Sequence, residues 1–280
     1  MTARWGFADY YARQSEQIIG SWQKDLSLQT ESSIREVIAL DERALSFAPR
    51  HRTYLYRLGQ MHGALHRISR IRNQDDGPLS LQYLRDSIAV RPEWPLTWSE
   101  LVLTKVEMGE YDAELHQAIV NAAKYGPWEP IVHHQLTRGG IGAYSQLPTA
   151  IQGVVRGNIQ RGLASPEYGG PSRVTRAIYL GSQGLTVDLV WDLGLHLAGI
   201  EWPNRSIQAM TELTLYLWPV FNADTRRLLT VKLSQAVVLD RGTVVLRKLR
   251  AAQQLGLVCP YLPREEQYKR FCRSARFIGR

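Results

Sequence analysis

The chain of 280 residues has only two cysteines, Cys259 and Cys272, and lacks any long uninterrupted apolar run. Two cysteines with no histidine near them in sequence are too few ligands for a zinc site. They could close a disulfide worth about 3 kcal/mol in the chain-entropy model, or remain two separately buried thiols. A transmembrane helix needs about 20 apolar residues, and the most apolar stretch, 185–200, contains two aspartates and a histidine. The sequence therefore predicts neither a zinc site nor a membrane span.

Motifs for phosphate binding and nucleophilic catalysis are also missing. The glycine-containing stretch 181–184 has neither the lysine nor the strand context of a phosphate-binding loop. Asp188 and Asp192 are spaced for one helix face and could form an acid–base pair, although such carboxylates more often line a solvated face. His133 and His134 are adjacent, so on a helix they point about 100° apart and make poor joint metal ligands. We therefore expect no catalytic residue, metal or cofactor, and an enzyme using the two aspartates is the weakest hypothesis.

The overall balance of charge is basic, with 34 Lys and Arg against 26 Asp and Glu and a formal charge of +8. A basic balance suits an anionic partner such as nucleic acid or an acidic glycan. The basic residues are spread along the chain, however, and the densest cluster, in 269–280, fits either a solvated helix or a tail that contacts a polyanion. Because no base-contacting residues recur at a repeat spacing, an RNA-contacting repeat is the weakest of the binding hypotheses, and nucleic acid is not an expected partner.

Prolines and glycines punctuate the first half of the chain at a regular interval. Apolar periodicity predicts helices that end at Pro49, Pro92 and Pro127, since a residue before proline is pushed out of the helical region. The prolines are separated by roughly 43 and roughly 35 residues, and a polar insert at 73–78 accounts for the longer interval; a tetratricopeptide helix pair has a period of about 34. Such pairs bury their apolar faces only when they are stacked.

Several residues in these units are assigned to turns or to helix packing. Gly59 is a small residue that lets the two helices of a pair approach closely. Gly109 is predicted to end its helix as a C-cap, Tyr111 to open the next helix, and Gly139-Gly140 to end the helix that starts near Ile131. The residues assigned to repeat positions are Pro49, Leu58, Gly59, Pro92, Trp98, Gly109, Tyr111 and Pro127.

The fold class predicted from these patterns is all-α: a tetratricopeptide-like helical-hairpin solenoid continued by further helix hairpins. We divide the chain into an N-terminal amphipathic helix or arm (1–31), the tetratricopeptide-like repeats (32–140), and a C-terminal helical-hairpin region (141–280). The C-terminal region shows a weak internal duplication, in which 143–163 is similar to 215–237. In each copy, two apolar residues spaced by four mark a helix: Val155 and Ile159 in the first, Leu229 and Leu233 in the second.

Two stretches of sequence are more specific than a generic repeat. The first is the run 91–98 (RPEWPLTW), followed by Leu101, Lys105, Gly109-Glu110 and the run 125–130 (YGPWEP); the second is 256–259 with Leu262-Pro263 and Cys272. Both resemble the VpsP-like family of small tetratricopeptide proteins associated with bacterial exopolysaccharide biosynthesis and biofilm. The resemblance implies an exported accessory protein without catalytic residues, periplasmic or membrane-associated. Family members usually begin with a hydrophobic anchor, which this sequence does not show, and without an export segment we expect a cytoplasmic protein.

We therefore expect a non-enzymatic scaffold or adaptor that binds other proteins of a polysaccharide synthesis or export assembly, with membrane association only through those partners or through an N-terminal anchor. The alternative is a module that binds an acidic polysaccharide directly, since aromatic faces also suit sugars. The candidate binding surface lies near the turns between helices, where tryptophans more often pack than bind. Its residues are His51, Arg91, Trp94 and Trp128.

Overall fold

The computed structural model describes residues 2–68, 75–164, 211, 215, 218, 223–239, 249, 258–264 and 266–275. All regular structure in these residues is helical, with no strand, and neighbouring helices pack against each other. The protein is all-α, with the helix hairpins that the sequence predicts. It divides into two compact units, Met1–Gly126 and Pro127–Arg280, and the division falls inside the predicted repeat region 32–140.

The described residues of the first unit form six helices in three hairpins. The hairpins are α1–α2, α3–α4 and α5–α6. Helix α2 packs against α3, and α4 packs against α5, so each hairpin contacts the next. The N-terminal helix α1 is thus the first member of a hairpin. The helices are α1 (Thr2–Lys24), α2 (Glu31–Phe47), α3 (Arg52–Ile68), α4 (Asp76–Val90), α5 (Pro95–Met108) and α6 (Ala113–Tyr125).

Local capping explains where these helices begin and end. Thr30 and Ser33 form a reciprocal capping box at the start of α2, which satisfies backbone donors that a helix leaves unpaired. Gly109 ends α5 with φ of 75°, a left-handed conformation that favours glycine. The Asp112 side chain accepts a hydrogen bond from the Leu115 N–H at 3.0 Å, so α6 begins after Asp112, two residues beyond the predicted start at Tyr111.

The core of the first unit combines the apolar faces of its first three helices. Trp22 from α1, Ile34 and Val37 from α2, and Leu58 and Leu65 from α3 are all buried in one cluster. The side chains of Leu58 and Leu65 are fully buried. Because the paired apolar positions on α2 and α3 are three and seven residues apart, each helix turns one face inward, and the three helices share this cluster.

The helices α3 and α4 approach each other closely at Gly59. A Cβ atom added at Gly59 would lie 2.7 Å from Cγ and Cδ2 of Leu84. The hydroxyl of Ser80 donates to the Gly59 carbonyl at 2.7 Å and lies 3.2 Å from the Thr104 hydroxyl on α5. Glycine here leaves room for the leucine, and Ser80 connects three helices at one level.

The described residues of the second unit include four longer helices. Helix α7 extends to Gly142, so the prediction that it ends at Gly139-Gly140 was wrong. The physical reason is tertiary: a Cβ at Gly140 would lie 2.6 Å from a methyl group of Val155, and glycine therefore serves the packing of α7 on α8. The helices are α7 (Pro130–Gly142), α8 (Thr149–Ala164), α9 (Ala223–Leu239) and α10 (Glu266–Ala275).

The marker residues of the predicted duplication are all buried. Val155 and Ile159 on α8, and Leu229 and Leu233 on α9, have no exposed surface. The segments that follow the two copies in the chain, including 165–210 and 240–248, lie outside the described residues.

Near the end of the chain a disulfide joins Cys259, in a short 3-10 turn, to Cys272 on α10, with Cα atoms 5.7 Å apart. Of the helices described, none has the length and apolarity needed to cross a bilayer.

Candidate functional site

A row of polar side chains runs along the face shared by α3 and α5, the first helices of two successive hairpins. The side-chain amide of Gln60 on α3 donates to the Tyr56 hydroxyl at 2.7 Å. The same nitrogen lies 3.3 Å from a carboxylate oxygen of Glu100 on α5. Gln60 is half-buried, whereas Tyr56 and Glu100 are buried. One accessible amide is therefore fixed in position by two buried partners.

An arginine continues this row toward the C-terminal ends of both helices. Arg67 donates to Glu107 at 3.0 Å and lies 3.7 Å from Glu100. Burial lowers the pKa of Arg67, but the charges of Glu100 and Glu107 outweigh it and leave that pKa above its ordinary value. The carboxylates therefore hold a half-buried guanidinium in a fixed direction.

At the opposite end of the row, Trp94 lies between an arginine and a tyrosine. The guanidinium of Arg52 stands 5.6 Å from the centre of the Trp94 ring, within the range of a cation–π contact. The Tyr56 ring centre lies 4.8 Å from that of Trp94. We call the combined surface of Arg52, Tyr56, Gln60, Arg67, Trp94, Glu100 and Glu107 the α3–α5 face.

The α3–α5 face brings one of the four predicted binding residues, Trp94, into a cluster. Arg91 is exposed in the turn before α5, and His51 is half-buried in the turn before α3. The His51 ring stacks on Tyr54 with centres 3.9 Å apart. Burial, with the nearby charges of Arg52 and Arg57, holds the pKa of His51 below its ordinary value. Trp128 belongs to the second unit and is 70% exposed.

Trp98, predicted as a packing residue, makes a hydrogen bond to the backbone of the preceding turn. Its indole N–H donates to the Pro92 carbonyl at 2.6 Å, which fixes the turn between α4 and α5. Pro92 itself is exposed. Tyr111, another predicted repeat residue, is 40% exposed in the turn before α6. The turn between α4 and α5 is therefore held by a side-chain hydrogen bond to the backbone of its proline.

A buried lysine joins the loop after α5 to the start of α6. The Lys105 ammonium donates to Glu110, Asp112 and Glu114 at 2.7–2.9 Å, and the lysine side chain has no exposed surface. Burial lowers the pKa of Lys105, but its hydrogen bonds to the three carboxylates outweigh that effect and leave it above the ordinary value. Hydrogen bonds from Arg85, with those from Lys105, lower the pKa of Glu114 to about 2. Each of these charged groups is paired with another of the cluster, and Arg85 connects it to α4, so this cluster is structural.

A second cluster of aromatic side chains lies where α1 meets the end of α2. The Phe47 ring stacks between Phe7, at 5.5 Å, and Tyr11, at 6.1 Å. Phe7 and Tyr10 are 54% and 60% exposed. With Gly6, the residues Phe7, Tyr10 and Tyr11 line a shallow apolar depression of about 450 Å³. Exposed aromatic surface of this kind is a candidate contact area for another molecule.

Within the part of the chain that the structure describes, no three His, Cys, Asp or Glu side chains are grouped to hold a metal ion. The histidines considered as metal ligands include His133, which faces Asn158 with Nδ1 and Oδ1 2.8 Å apart. Asp188 and Asp192, the candidate acid–base pair, and the glycine-containing stretch 181–184 lie outside the described residues.

Sequence reasoning missed most of the α3–α5 face. Arg52, Tyr56 and Gln60 are four residues apart, so the helical period itself indicates that they share one side of α3. What the sequence did not show is that α5 supplies the facing residues, since Gln60 and Glu100 are separated by 40 positions. Only the stacking of the two hairpins brings them together.

The stacked helix hairpins define the class of protein, an all-α helical-hairpin repeat protein. No protein-family model matches the chain, and no curated protein is significantly similar to it. The resemblance to the VpsP-like family therefore remains a sequence-based prediction.

Proposed function

We propose that the chain is an adaptor that binds a protein partner along the α3–α5 face. The observation that carries this proposal is the pair of half-buried side chains, Gln60 and Arg67, held in place by the buried residues Tyr56 and Glu100. Side chains that are already ordered lose little conformational entropy on binding, which favours affinity. Stacked helix pairs also commonly present extended surfaces to their partners.

The chemistry of the face suits an extended peptide segment. The carbonyl oxygen of the Gln60 side chain can accept from a peptide N–H, because its two amide donors already serve Tyr56 and Glu100. Arg67 can donate to a peptide carbonyl or a carboxylate. The Arg52–Trp94 pair supplies residue types that dominate the energetics of many interfaces. We therefore assign peptide-backbone recognition to the middle of the face and side-chain recognition to its Arg52–Trp94 end.

The resemblance in the sequence supports a more specific proposal about the partner. Residues 91–98 lie in the turn and first part of α5, next to the Arg52–Trp94 contact. If the VpsP-like resemblance reflects function, the bound proteins belong to an assembly that synthesises or exports exopolysaccharide. A periplasmic or membrane-associated location would follow from the same resemblance.

A photo-crosslinking amino acid placed at Gln60 tests the adaptor proposal directly in the native host. The matched position is Glu36, an exposed residue on α2. We expect Gln60 to crosslink a discrete protein that Glu36 does not, and expect Arg67→Ala in the same chain to reduce the yield. Equal crosslinking from both positions would contradict the proposal. Identification of the protein by mass spectrometry separates glycan-assembly components, which support the exopolysaccharide assignment, from other proteins, which overturn that assignment alone.

A further inference from the structure

A cavity near the end of the chain is lined by cationic side chains. It has a volume of about 360 Å³ and lies between the disulfide-bonded turn and α10. This volume is within the range of small-ligand pockets, about 300–1,000 Å³. The lining residues are Cys259, Leu262, Pro263, Arg264, Tyr268, Lys269, Cys272 and Arg273.

The charges around this cavity are not balanced among the described residues. Glu266 lies 3.5 Å from Lys269 and 3.1 Å from Arg273, so one carboxylate serves two cations. All three of these side chains are more than half exposed, and exposed ion pairs contribute only about 0–1 kcal/mol. Arg264 is exposed and makes no ion pair with any residue in the described ranges. Weakly held cations of this kind are available to an external anion.

The wall of the cavity adds a neutral donor and rigidity. Tyr268 is only 4% exposed, and its hydroxyl has no hydrogen-bond partner among the described residues. The disulfide attaches the turn at Cys259 to Cys272 on α10, so both sides of the cavity are held together covalently. Leu262 and Pro263 supply apolar surface beside the charges.

We propose that this cavity is a binding site for the oxyanion, carboxylate or phosphate, of a sugar-sized ligand. Arg264 and Arg273 offer planar guanidinium groups that match both oxyanions, and Lys269 adds a compact charge. Tyr268 donates a further hydrogen bond, and Leu262 with Pro263 contacts the apolar part of the ligand. Glu266 competes with the ligand for Lys269 and Arg273. The site belongs to the second unit, and this proposal does not depend on the adaptor function.

Titration calorimetry at low salt on the oxidised full-length chain tests the site with three probes: inorganic phosphate, glucuronate and a polyuronate. We expect at least one probe to bind, and Arg264→Gln to weaken it about tenfold, equivalent to about 1.4 kcal/mol. The matched control is Arg13→Gln, which removes the same charge from an exposed pair with Asp9 on α1. Absence of binding by all three probes, or equal weakening in both variants, would overturn the proposal.

Glu266→Gln supplies a test of opposite sign. Because it removes the competing carboxylate, we expect binding to tighten about threefold or more, whereas Glu36→Gln, with the same change in net charge, leaves it nearly unchanged. Reduction of the disulfide, or the double variant Cys259→Ser with Cys272→Ser, is expected to abolish binding. A reduced protein that binds as tightly as the oxidised one, or a Glu266→Gln variant that binds no better than Glu36→Gln, would contradict the site. The preferred probe identifies the source of the oxyanion: free phosphate, a sugar acid or a polymer.

Discussion

The α-carbon of Gly59 lies so close to Leu84 that a methyl group there would be 2.7 Å from two carbon atoms of the leucine side chain. This contact sets the distance between α3 and α4, because Leu84 is fully buried and the Gly59 carbonyl accepts from Ser80. Gly59 lies inside a regular helix, where the backbone conformation does not itself call for glycine. Packing against Leu84 is therefore the reason for the small residue.

Overpacking usually costs about 1–3 kcal/mol, and the better helix propensity of alanine returns about 1 kcal/mol. Gly59→Ala is therefore expected to have a free energy of unfolding about 1–3 kcal/mol below that of a Gly→Ala variant that gains the same propensity without a clash. The matched control is Gly20→Ala on α1, where an added Cβ meets nothing within 4 Å and alanine should stabilise the helix. Urea denaturation followed by circular dichroism measures both. A Gly59→Ala variant as stable as Gly20→Ala would show that the two helices can separate at no cost.

Arg57→Ala is expected to cost about 3–5 kcal/mol at neutral pH, since it leaves Asp41 buried and unpaired. Arg57 donates two hydrogen bonds of 2.7 Å to Asp41, which has no exposed surface. Arg35→Ala is the control, because it removes an exposed pair with Glu31 and should cost no more than about 1 kcal/mol. Thermal unfolding of the two variants gives the comparison, and similar losses would argue against a structural role for the buried pair.

The cost of Arg57→Ala should also depend on pH. Burial raises the pKa of Asp41, and hydrogen bonds from Arg57 and Ser15 oppose that rise. Without Arg57 the folded-state pKa rises further above the unfolded value of about 3.9. A carboxyl group whose pKa is higher in the folded state stabilises the fold at pH values below its unfolded-state pKa. This stabilisation is lost as the pH rises through the folded-state pKa. We expect the variant to lie closest to the wild type near pH 4, and a penalty that is constant between about pH 4 and pH 8 would contradict this reasoning.

Lys105→Met is expected to destabilise the α5–α6 hairpin by about 2 kcal/mol at pH 7, because three carboxylates lose their shared donor. The folded-state pKa of Glu114 is about 2, against an ordinary value of 4.5. A carboxyl group whose pKa is lower in the folded state stabilises the fold at pH values above its unfolded-state pKa. This stabilisation is lost as the pH falls through the folded-state pKa. The difference between wild type and variant should therefore shrink from pH 4.5 toward pH 2. Chemical denaturation across this range, with exposed Lys24→Met as control, measures the change.

Acidification should weaken the second unit through His133. This histidine is 1% exposed, and burial lowers its pKa below 6.5, although the hydrogen bond with Asn158 opposes the shift. A lowered histidine pKa means that stability is lost as pH falls from 6.5 toward the folded-state value. His133→Gln should remove this loss, and Asn158→Asp should reduce or reverse it by placing a carboxylate beside the ring. Proteolysis of the second unit at pH 7.5 and pH 5.5 would detect the difference, and unchanged pH dependence in both variants would contradict it.

The sequence predicted local features of this fold more accurately than contacts between distant segments. Gly109 was recognisable as a helix end because a left-handed residue after a periodic apolar segment is usually glycine. Gly140 was misread by the same rule, since its role is to accommodate Val155 from the next helix. The two uses of glycine are identical in sequence and differ only in what packs against the residue.

The candidate site also combines residues that the local sequence indicates with residues that only tertiary packing brings in. Trp94 was predicted from its place in a turn, and its neighbours Arg52 and Tyr56 share a helix face by spacing alone. Glu100 and Glu107 lie beside Arg67 only because α5 packs on α3, which the sequence did not show. The cationic cavity likewise depends on a covalent link between Cys259 and Cys272, which the sequence left open as one of two alternatives.

Sequence by itself determined that the chain is all-α and where α2, α4, α5 and α6 end, because helical periodicity, glycine caps and prolines act over a few neighbouring residues. Only the tertiary structure decided which polar side chains are brought together, as when Lys105 meets three carboxylates or Gln60 meets Glu100. The physical reason is that helix spacing fixes a residue's direction from its own axis. The partner it reaches depends on how neighbouring helices pack, which the whole buried surface determines.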